Sequence, residues 1–187
     1  MKILVLSDTH GKLDKVYRVF EKLNSIDLII HCGDNIRDAY TLEDTIGVPV
    51  AAIKGNCDGM ASTVKGDSYD ILDTPGGKIL FTHGHMDRVG FDMSRLLYRA
   101  EENDCEAVCF GHTHVPVCEY YDGILMINPG SLSQPRDGTN GSYAIIHSSD
   151  DGIYANVVYY DTIFPEGKKK KVQGGFVRGL LNYSDRF

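Results

Sequence analysis

Short apolar runs alternate with polar, glycine-containing segments along the first 115 residues of the chain. Each run is four to six residues long and rich in valine, isoleucine, leucine or phenylalanine, which is typical of strands rather than helices. Because their apolar character is almost continuous, these strands are predicted to be buried on both faces, as in the central sheet of a layered protein. The five runs read KILVL, DLIIH, VPVAAI, KILF and AVCF.

Helical spacing of apolar residues is found between these runs. Residues 13–23 and 92–102 each place apolar side chains on one face, and 37–46 shows a weaker version of the pattern. Asp92 stands at the start of the 92–102 segment, where an aspartate favours a helix N-terminus. Strand–helix–strand alternation of this kind predicts an α/β fold with right-handed crossovers.

The later part of the chain is predicted to form antiparallel hairpins. Turn residues at Pro75–Gly77, Asp122–Gly123 and Asp151–Gly152 each separate two strand-like runs. Consecutive antiparallel strands do not fit a single parallel sheet, so two sheets are expected. The predicted fold is therefore a four-layer α-β-β-α sandwich of two stacked mixed sheets flanked by helices.

Length and composition are those of one globular domain. The chain has 187 residues, and we predict a single domain over 1–187 with a tail, 165–187, to which no structure is assigned. No apolar stretch approaches the roughly 20 residues of a membrane helix, and the N-terminal apolar run is too short for a secretion signal. Five cysteines without a C-x-x-C pair fit a reducing compartment, so the cytoplasm is the expected location.

Seven polar side chains follow the five apolar runs, at the points where the predicted strands end. Parallel strands build sites beyond their carboxyl ends, so these side chains are expected to meet at one edge. Imidazole, carboxylate and amide donors suit first-row divalent cations, and without thiolates the set is not a structural zinc site. With one bridging carboxylate, seven ligands divide into two sets of four, as in two-metal centres. The seven are Asp8, His10, Asp34, Asn56, His83, His112 and His114.

The same segments carry a family resemblance over residues 1–160. The blocks SDTHG, HCGDN, KGNCD, THGH and GHTH resemble the five signature blocks of the calcineurin-like metallophosphoesterase superfamily, in particular its small bacterial and archaeal phosphodiesterase branch. The resemblance implies a phosphodiesterase in which a hydroxide bridging two metal ions attacks phosphorus in line. It implies two divalent ions, with Mn²⁺ expected and Ni²⁺, Co²⁺, Fe²⁺, Zn²⁺ or Mg²⁺ as alternatives.

The chain departs from the family pattern at one position. Many members place a histidine directly after the asparagine of the third block, where it can protonate the leaving group, whereas this chain has Cys57 there. A thiol, with an ordinary pKa of about 8.5, is a poor match for this role, so activated aryl diesters are the predicted preferred substrates.

The resemblance also divides the ligands between the two ions. The implied ligands are Asp8, His10 and His114 for one ion and Asn56, His83 and His112 for the other, bridged by Asp34.

Four further residues and one turn are candidate parts of the site. Cys57 is either a small buried residue beneath the site or a direct participant, and Asp58 is either a solvated loop carboxylate or a group that orients a ligand histidine. His85 has either a structural role or contact with the substrate, and the turn NPGS at 128–131 either ends a strand or borders the metal edge. The predicted catalytic residues are Asp34, Asn56, Cys57, Asp58 and His85, and the predicted phosphate-binding residues are Arg136 and Asn56.

Three functions fit these observations. The first is a metal-dependent phosphodiesterase acting on a small phosphoester. The alternatives are a phosphomonoesterase or nucleotidase, and a catalytically weak or inactive scaffold of the same fold that binds protein partners. The formal net charge of −7 does not favour nucleic acid as a partner, although bound cations would reverse the sign locally. No membrane partner is expected, and a homodimer or homotetramer is compatible with the sequence.

Overall fold

The computed structural model describes residues 1–59 and 69–165 of the chain. Within these residues the strands form two sheets of five strands each, with helices packed on their outer faces. The predicted sandwich of two stacked mixed sheets is therefore confirmed. Apart from Pro165, the predicted tail lies outside the described residues, and a single domain over 1–187 stays a prediction.

Ten strands and four helices are found in the described ranges. In chain order they are β1 (Lys2–Leu6), α1 (Asp14–Phe20), β2 (Leu28–His31), α2 (Ile36–Ile46), β3 (Val50–Ala52), β4 (Tyr69–Thr74), β5 (Gly77–Thr82), α3 (Ser94–Glu102), β6 (Cys105–Cys109), β7 (Val117–Tyr121), β8 (Ile124–Asn128), β9 (Ser142–Ser149), β10 (Gly152–Tyr159) and α4 (Tyr160–Ile163).

Each sheet has a parallel centre and antiparallel edges. The first sheet has the order β10–β9–β1–β2–β3, in which β1, β2 and β3 are parallel and β9 runs antiparallel to β1. The second has the order β4–β5–β6–β8–β7, in which β5, β6 and β8 are parallel. The three predicted hairpins, β4–β5, β7–β8 and β9–β10, are all confirmed.

Four of the five apolar runs are largely buried on both faces, because their strands lie between two layers. The prediction is wrong for VPVAAI, which carries β3 at the edge of the first sheet and is only half-buried. In β1, Ile3 and Val5 pack in the core between the sheets, whereas Leu4 and Leu6 pack against helices on the outer face. All four side chains are at most 2% exposed. Burial of apolar side chains of this size stabilises the fold by roughly 1.5–3 kcal/mol each, which explains why polar residues are excluded until the strand ends.

Two of the helices are shorter than the patterns predicted. The helix predicted at 13–23 begins at Asp14 and ends at Phe20, and the one predicted at 92–102 begins at Ser94. Asp92 still helps to start α3, because its Oδ1 accepts a hydrogen bond of 2.9 Å from the N–H of Ser94. No helix in the described part of the chain combines the length and the apolar character needed to cross a bilayer.

Candidate metal centre

The seven predicted ligands lie together at one edge of the sandwich. They are carried by the loops that follow β1, β2 and β3 in the first sheet and β5 and β6 in the second. Parallel strands within each sheet end on the same side, and the two sheets stack so that both sets of loops meet. The expectation that these side chains share one edge is met by the distances between their donor atoms.

One group of ligands surrounds a point next to β1. The Nε2 atom of His114 lies 3.1 Å from Oδ1 of Asp8 and 3.5 Å from Nε2 of His10. The Nε2 atom of His10 lies 3.7 Å from Oδ2 of Asp34. One donor atom from each of these four residues lies within 4.8 Å of the other three, a spacing that one metal ion can bridge.

A second group lies on the other side of Asp34. The Nε2 atom of His83 is 3.3 Å from Oδ1 of Asp34 and 3.0 Å from Oδ1 of Asn56. The same oxygen of Asn56 is 3.0 Å from Nδ1 of His112. The two carboxylate oxygens of Asp34 therefore face different groups, with Oδ2 towards His10 and Oδ1 towards His83.

Two histidines are held in the tautomer that a metal ligand requires. The Nδ1 atoms of His83 and His114 lie 2.7 Å from the carbonyl of Cys32 and 2.6 Å from the carbonyl of Gln134, respectively. Since a carbonyl oxygen can only accept, each Nδ1 carries the proton and donates it. A neutral ring in this state directs the bare Nε2 lone pair into the site, as metal-ligating histidines do.

Asp8 is held in the same way, with one oxygen fixed and the other left for the site. Its Oδ2 accepts hydrogen bonds from Oγ of Ser7 at 2.6 Å and from the backbone N–H of His112 at 3.0 Å. Its Oδ1 is buried and accepts no hydrogen bond within the described ranges, because the neighbouring Nε2 of His114, at 3.1 Å, carries no proton in this tautomer. A buried carboxylate oxygen without a donor is costly unless a cation lies beside it, so Asp8 fits a metal ligand.

The electrostatics of this group also favour a positive charge. Burial alone would lower the pKa of His114, but the Asp8 carboxylate and the Gln134 carbonyl raise it overall. Burial would raise the pKa of Asp8, but His114, His83 and Ser7 lower it overall. Both shifts show that the Asp8 carboxylate attracts positive charge at this point, and the nitrogen and oxygen donors here suit a borderline divalent cation.

Backbone strain is concentrated at the candidate ligands. Ten non-glycine residues in the described ranges have a positive φ, and five of these ten are candidate ligands. Such angles are unfavourable for residues with a Cβ and persist where surrounding contacts impose them. The five are Asp8 (φ 54°), His10 (48°), Asp34 (60°), His112 (69°) and His114 (59°).

Two glycines allow the ligand loops to approach each other. A Cβ added to Gly55 would collide with Oδ1 of Asp34, and one added to Gly111 would collide with Oγ of Ser7. Any side chain at either position would displace either a candidate ligand or a residue that holds one.

The carboxylate of Asp58 accepts hydrogen bonds from backbone N–H groups and not from a candidate ligand histidine. Its Oδ1 accepts from the N–H groups of Asn35 at 3.0 Å and Ile36 at 2.6 Å, and its Oδ2 accepts from Gly55 at 2.7 Å. The carboxylate therefore caps the start of α2, where Asn35 makes no capping bond of its own. Neither expected alternative, a solvated carboxylate or a partner of a ligand histidine, describes these contacts. Asp58 ties the loop that carries Asn56 to the loop that carries Asp34.

Cys57 is exposed, so the alternative of a small buried residue beneath the site is wrong. It lies on the turn after Asn56, and its N–H donates to Oδ1 of Asp34 at 2.9 Å. Hydrogen bonding to Asp34 and partial desolvation raise the pKa of the thiol to about 11. The thiol is therefore protonated at neutral pH, and neither a thiolate nucleophile nor a strong acid stands at this position.

His85 and Arg136 lie at the border of the site. The ring of His85 is 5.2 Å from that of His83 and 6.2 Å from that of His112, measured between centroids. Its Nδ1 is buried without a hydrogen-bond partner among the described residues, and burial lowers the pKa of the ring. The side chain of Arg136 is exposed, and the backbone N–H of the same residue donates to the backbone carbonyl of His114 at 3.2 Å. Burial lowers the pKa of His112, and the charge of Arg136 adds to that lowering.

The turn at 128–131 borders the metal edge, which was one of its two expected roles. The side chain of Asn128 donates to the carbonyl of Gly111 at 2.9 Å, and Oγ of Ser131 donates to the carbonyl of Asp8 at 2.9 Å. These contacts, and those of Ser7 and Gln134, are supporting interactions that the sequence did not reveal. For Ser7 a signal existed, because it directly precedes Asp8, but nothing in the sequence marks Gln134.

The proteins to which this chain is similar are phosphoesterases. A family model described as the calcineurin-like phosphoesterase superfamily domain matches residues 1–151. The probable metallophosphoesterase YsnB of Bacillus subtilis is 39% identical over 164 residues, covering 86% of this chain and 91% of that protein. Phosphodiesterase MJ0936 of Methanocaldococcus jannaschii is 30% identical, covering 70% of this chain and 83% of that protein.

A solved structure extends the similarity to three dimensions. The crystal structure of a conserved protein of Streptococcus pneumoniae, described as a predicted phosphoesterase, superimposes with a TM-score of 0.71. It is 30% identical in sequence and covers 86% of this chain and 90% of that one. The similarity therefore extends over most of both chains.

Proposed function

The chain belongs to the calcineurin-like phosphoesterase superfamily, and we propose that it is a divalent metal-dependent phosphodiesterase with two ions. The observation that carries the proposal is the position of Asp34 between two groups of ligands, with one carboxylate oxygen facing each. A carboxylate in this position can be shared by two cations, whereas a one-ion site needs no second group.

The proposed ligands follow the two groups. Asp8, His10 and His114 would hold one ion, Asn56, His83 and His112 would hold the other, and Asp34 would contact both. When bound, the two ions would lower the pKa of a water that attacks phosphorus in line and offset the charge on the phosphoryl oxygens. Mn²⁺ is the proposed ion, since the mixed nitrogen and oxygen donors suit it, with Ni²⁺, Co²⁺, Fe²⁺, Zn²⁺ or Mg²⁺ as alternatives.

The substrate phosphate is proposed to contact three side chains at the border of the site. The exposed guanidinium of Arg136 can bind a phosphate through two parallel hydrogen bonds. Burial keeps the pKa of His85 below its ordinary value, so the ring is neutral at pH 7 and can donate one hydrogen bond to a substrate oxygen. Asn56 offers an amide group at the second ion. Asp58 contributes indirectly by fixing the loop that carries Asn56.

A dependence on the leaving group is expected to follow from Cys57. Rates on aryl phosphodiesters should fall more steeply with rising leaving-group pKa in the wild type than in Cys57→His. The exposed thiol is a weak proton donor, whereas an imidazole can protonate a poor leaving group and raise its rate by roughly 10²-fold. A series of aryl diesters with Mn²⁺ measures both slopes. Cys57→Ser, which has no imidazole, should keep the wild-type slope, and equal slopes for wild type and Cys57→His would refute the idea.

The substrate class is tested by a metal-supplemented screen of the purified protein. Phosphodiesters are expected to turn over faster than phosphomonoesters and nucleotides in the presence of Mn²⁺. Faster turnover of monoesters would point to the phosphomonoesterase alternative. No turnover of any substrate with Mn²⁺, Ni²⁺, Co²⁺ or Zn²⁺ would favour the scaffold that binds protein partners.

The proposed location is the cytoplasm. All five cysteines lie within the described ranges and are free, and Cys57 is exposed. A reducing compartment suits a protein with an exposed thiol beside its site.

A further inference from the structure

A series of buried hydrogen bonds lies behind the loops that carry the candidate ligands. The N–H of Gly33 donates to Nδ1 of His31 at 3.3 Å, and Nε2 of His31 lies 2.9 Å from Oγ1 of Thr9. The hydroxyl of Thr9 donates to Oδ2 of Asp38 at 2.6 Å. His31 is 0% exposed, Thr9 1% and Asp38 7%, so these polar groups have little access to water.

The donor and the acceptor of every hydrogen bond in this series can be assigned. A backbone N–H can only donate, so Nδ1 of His31 accepts and its proton is on Nε2. That N–H donates to Thr9, and the single hydroxyl proton of Thr9 is then given to Asp38. Burial lowers the pKa of His31, which agrees with a neutral ring that accepts on one side and donates on the other.

Asp38 joins the two loops that carry the central ligands. Its Oδ2 also accepts from the N–H of Gly11 at 2.8 Å, and its Oδ1 accepts from Nδ2 of Asn35 at 3.0 Å. Thr9 lies between Asp8 and His10 in the loop after β1, and Asn35 follows Asp34 in the loop after β2. One side chain of α2 thus connects the loop of His10 to the loop of Asp34.

These loops need external support because their backbone is strained. Asp8 and His10 have φ values of 54° and 48°, and Asp34 and Asn35 have 60° and 81°. Conformations of this kind persist only where surrounding contacts determine them. The hydrogen bonds of Thr9 and Asp38 are contacts of this kind on both loops, and neither side chain belongs to the proposed ligand set.

We propose that Thr9 and Asp38 are positioning residues that set the separation between His10 and Asp34 through this buried network. The inference rests on the proposed function, since it takes His10 and Asp34 as ligands of a divalent ion. The two residues act on the strength of metal binding and not on the chemical step itself.

Paired substitutions at Thr9 separate positioning from simple packing. Thr9→Val keeps the shape of the side chain and removes the hydroxyl, whereas Thr9→Ser keeps the hydroxyl and removes a methyl group. Direct partners of metal ligands typically change metal affinity by about 10–100-fold, and Thr9 acts one contact further out, so Thr9→Val should weaken Mn²⁺ binding by about 10-fold, the lower end of that range. Thr9→Ser should bind Mn²⁺ as the wild type does.

The measurement is Mn²⁺ binding to metal-stripped protein by titration calorimetry, with melting temperatures recorded without metal. Asp38→Ala provides a second variant should Thr9→Val fail to fold, and it should weaken Mn²⁺ binding in the same way. Asp44→Ala, an exposed position on the same helix, is the matched control and should bind normally.

Two results would overturn the inference alone. The first is that Thr9→Val and Asp38→Ala both bind Mn²⁺ with wild-type affinity. The second is that Thr9→Val binds Mn²⁺ normally while Thr9→Ser binds it more weakly, which would indicate that Thr9 acts through packing. A wild type that binds no Mn²⁺ would instead overturn the proposed function, and this inference with it.

Discussion

Asp34→Asn is expected to abolish phosphodiester turnover while the chain stays folded. Asp34 is 2% exposed, and its two oxygens face His10 at 3.7 Å and His83 at 3.3 Å. Asparagine has the same shape, but its amide is neutral and one of its two ends donates, so it cannot be shared by two cations. The loss should be at least about 10²–10³-fold, the size of effect that follows removal of one preorganised electrostatic group.

Initial rates on a generic aryl phosphodiester with saturating Mn²⁺ measure this loss, and circular dichroism checks the fold. Asp150→Asn, at an exposed turn position between β9 and β10, is the control and should retain full activity. A folded Asp34→Asn variant with more than a tenth of the wild-type rate would show that Asp34 does not bridge the proposed ions.

His112→Ala and His114→Ala are expected to lose different metal ions. The two histidines are separated only by Thr113, yet His112 approaches Asn56 at 3.0 Å and His114 approaches Asp8 at 3.1 Å. Their positive φ angles, 69° and 59°, let the backbone turn so that these two histidine side chains reach opposite sides of Asp34. Each variant should therefore retain one bound ion, and the retained ions should lie on opposite sides of Asp34.

Counting bound Mn²⁺ per chain and locating it by anomalous scattering from crystals of each variant would measure this difference. His147→Ala removes an exposed histidine from β9 and should leave both ions bound. Loss of the same ion from both variants would contradict the division of ligands between two groups.

The fold could be predicted from the sequence wherever burial or turn chemistry dominates. The run KILVL is apolar at successive positions because Ile3 packs between the sheets and Leu4 packs under helices, so both faces are buried. The hairpins could be predicted because glycine-containing turns separate their strands. The predicted helix ends were less accurate. After Phe20 the chain continues in turns whose hydrogen bonds join residues three positions apart, rather than the four of an α-helix.

The positions of the candidate ligands were predictable because they stand directly after buried strands, where polar residues first appear. The roles of their neighbours were not, because they depend on contacts between distant segments. The carboxylate of Asp58 accepts from the backbone N–H groups of Asn35 and Ile36, more than 20 residues away, and no local sequence pattern predicts this helix cap. The exposure of Cys57 depends in the same way on how its turn packs against Asp34.

The most direct test of a two-ion phosphodiesterase is a titration of metal-stripped wild-type protein with Mn²⁺. Bound ions per chain and the rate of aryl phosphodiester hydrolysis are measured in the same samples. Turnover is predicted to be absent without metal and to reach its maximum only when two ions per chain are bound. Full turnover by the metal-stripped protein, or with a single ion bound per chain, would contradict the two-ion mechanism.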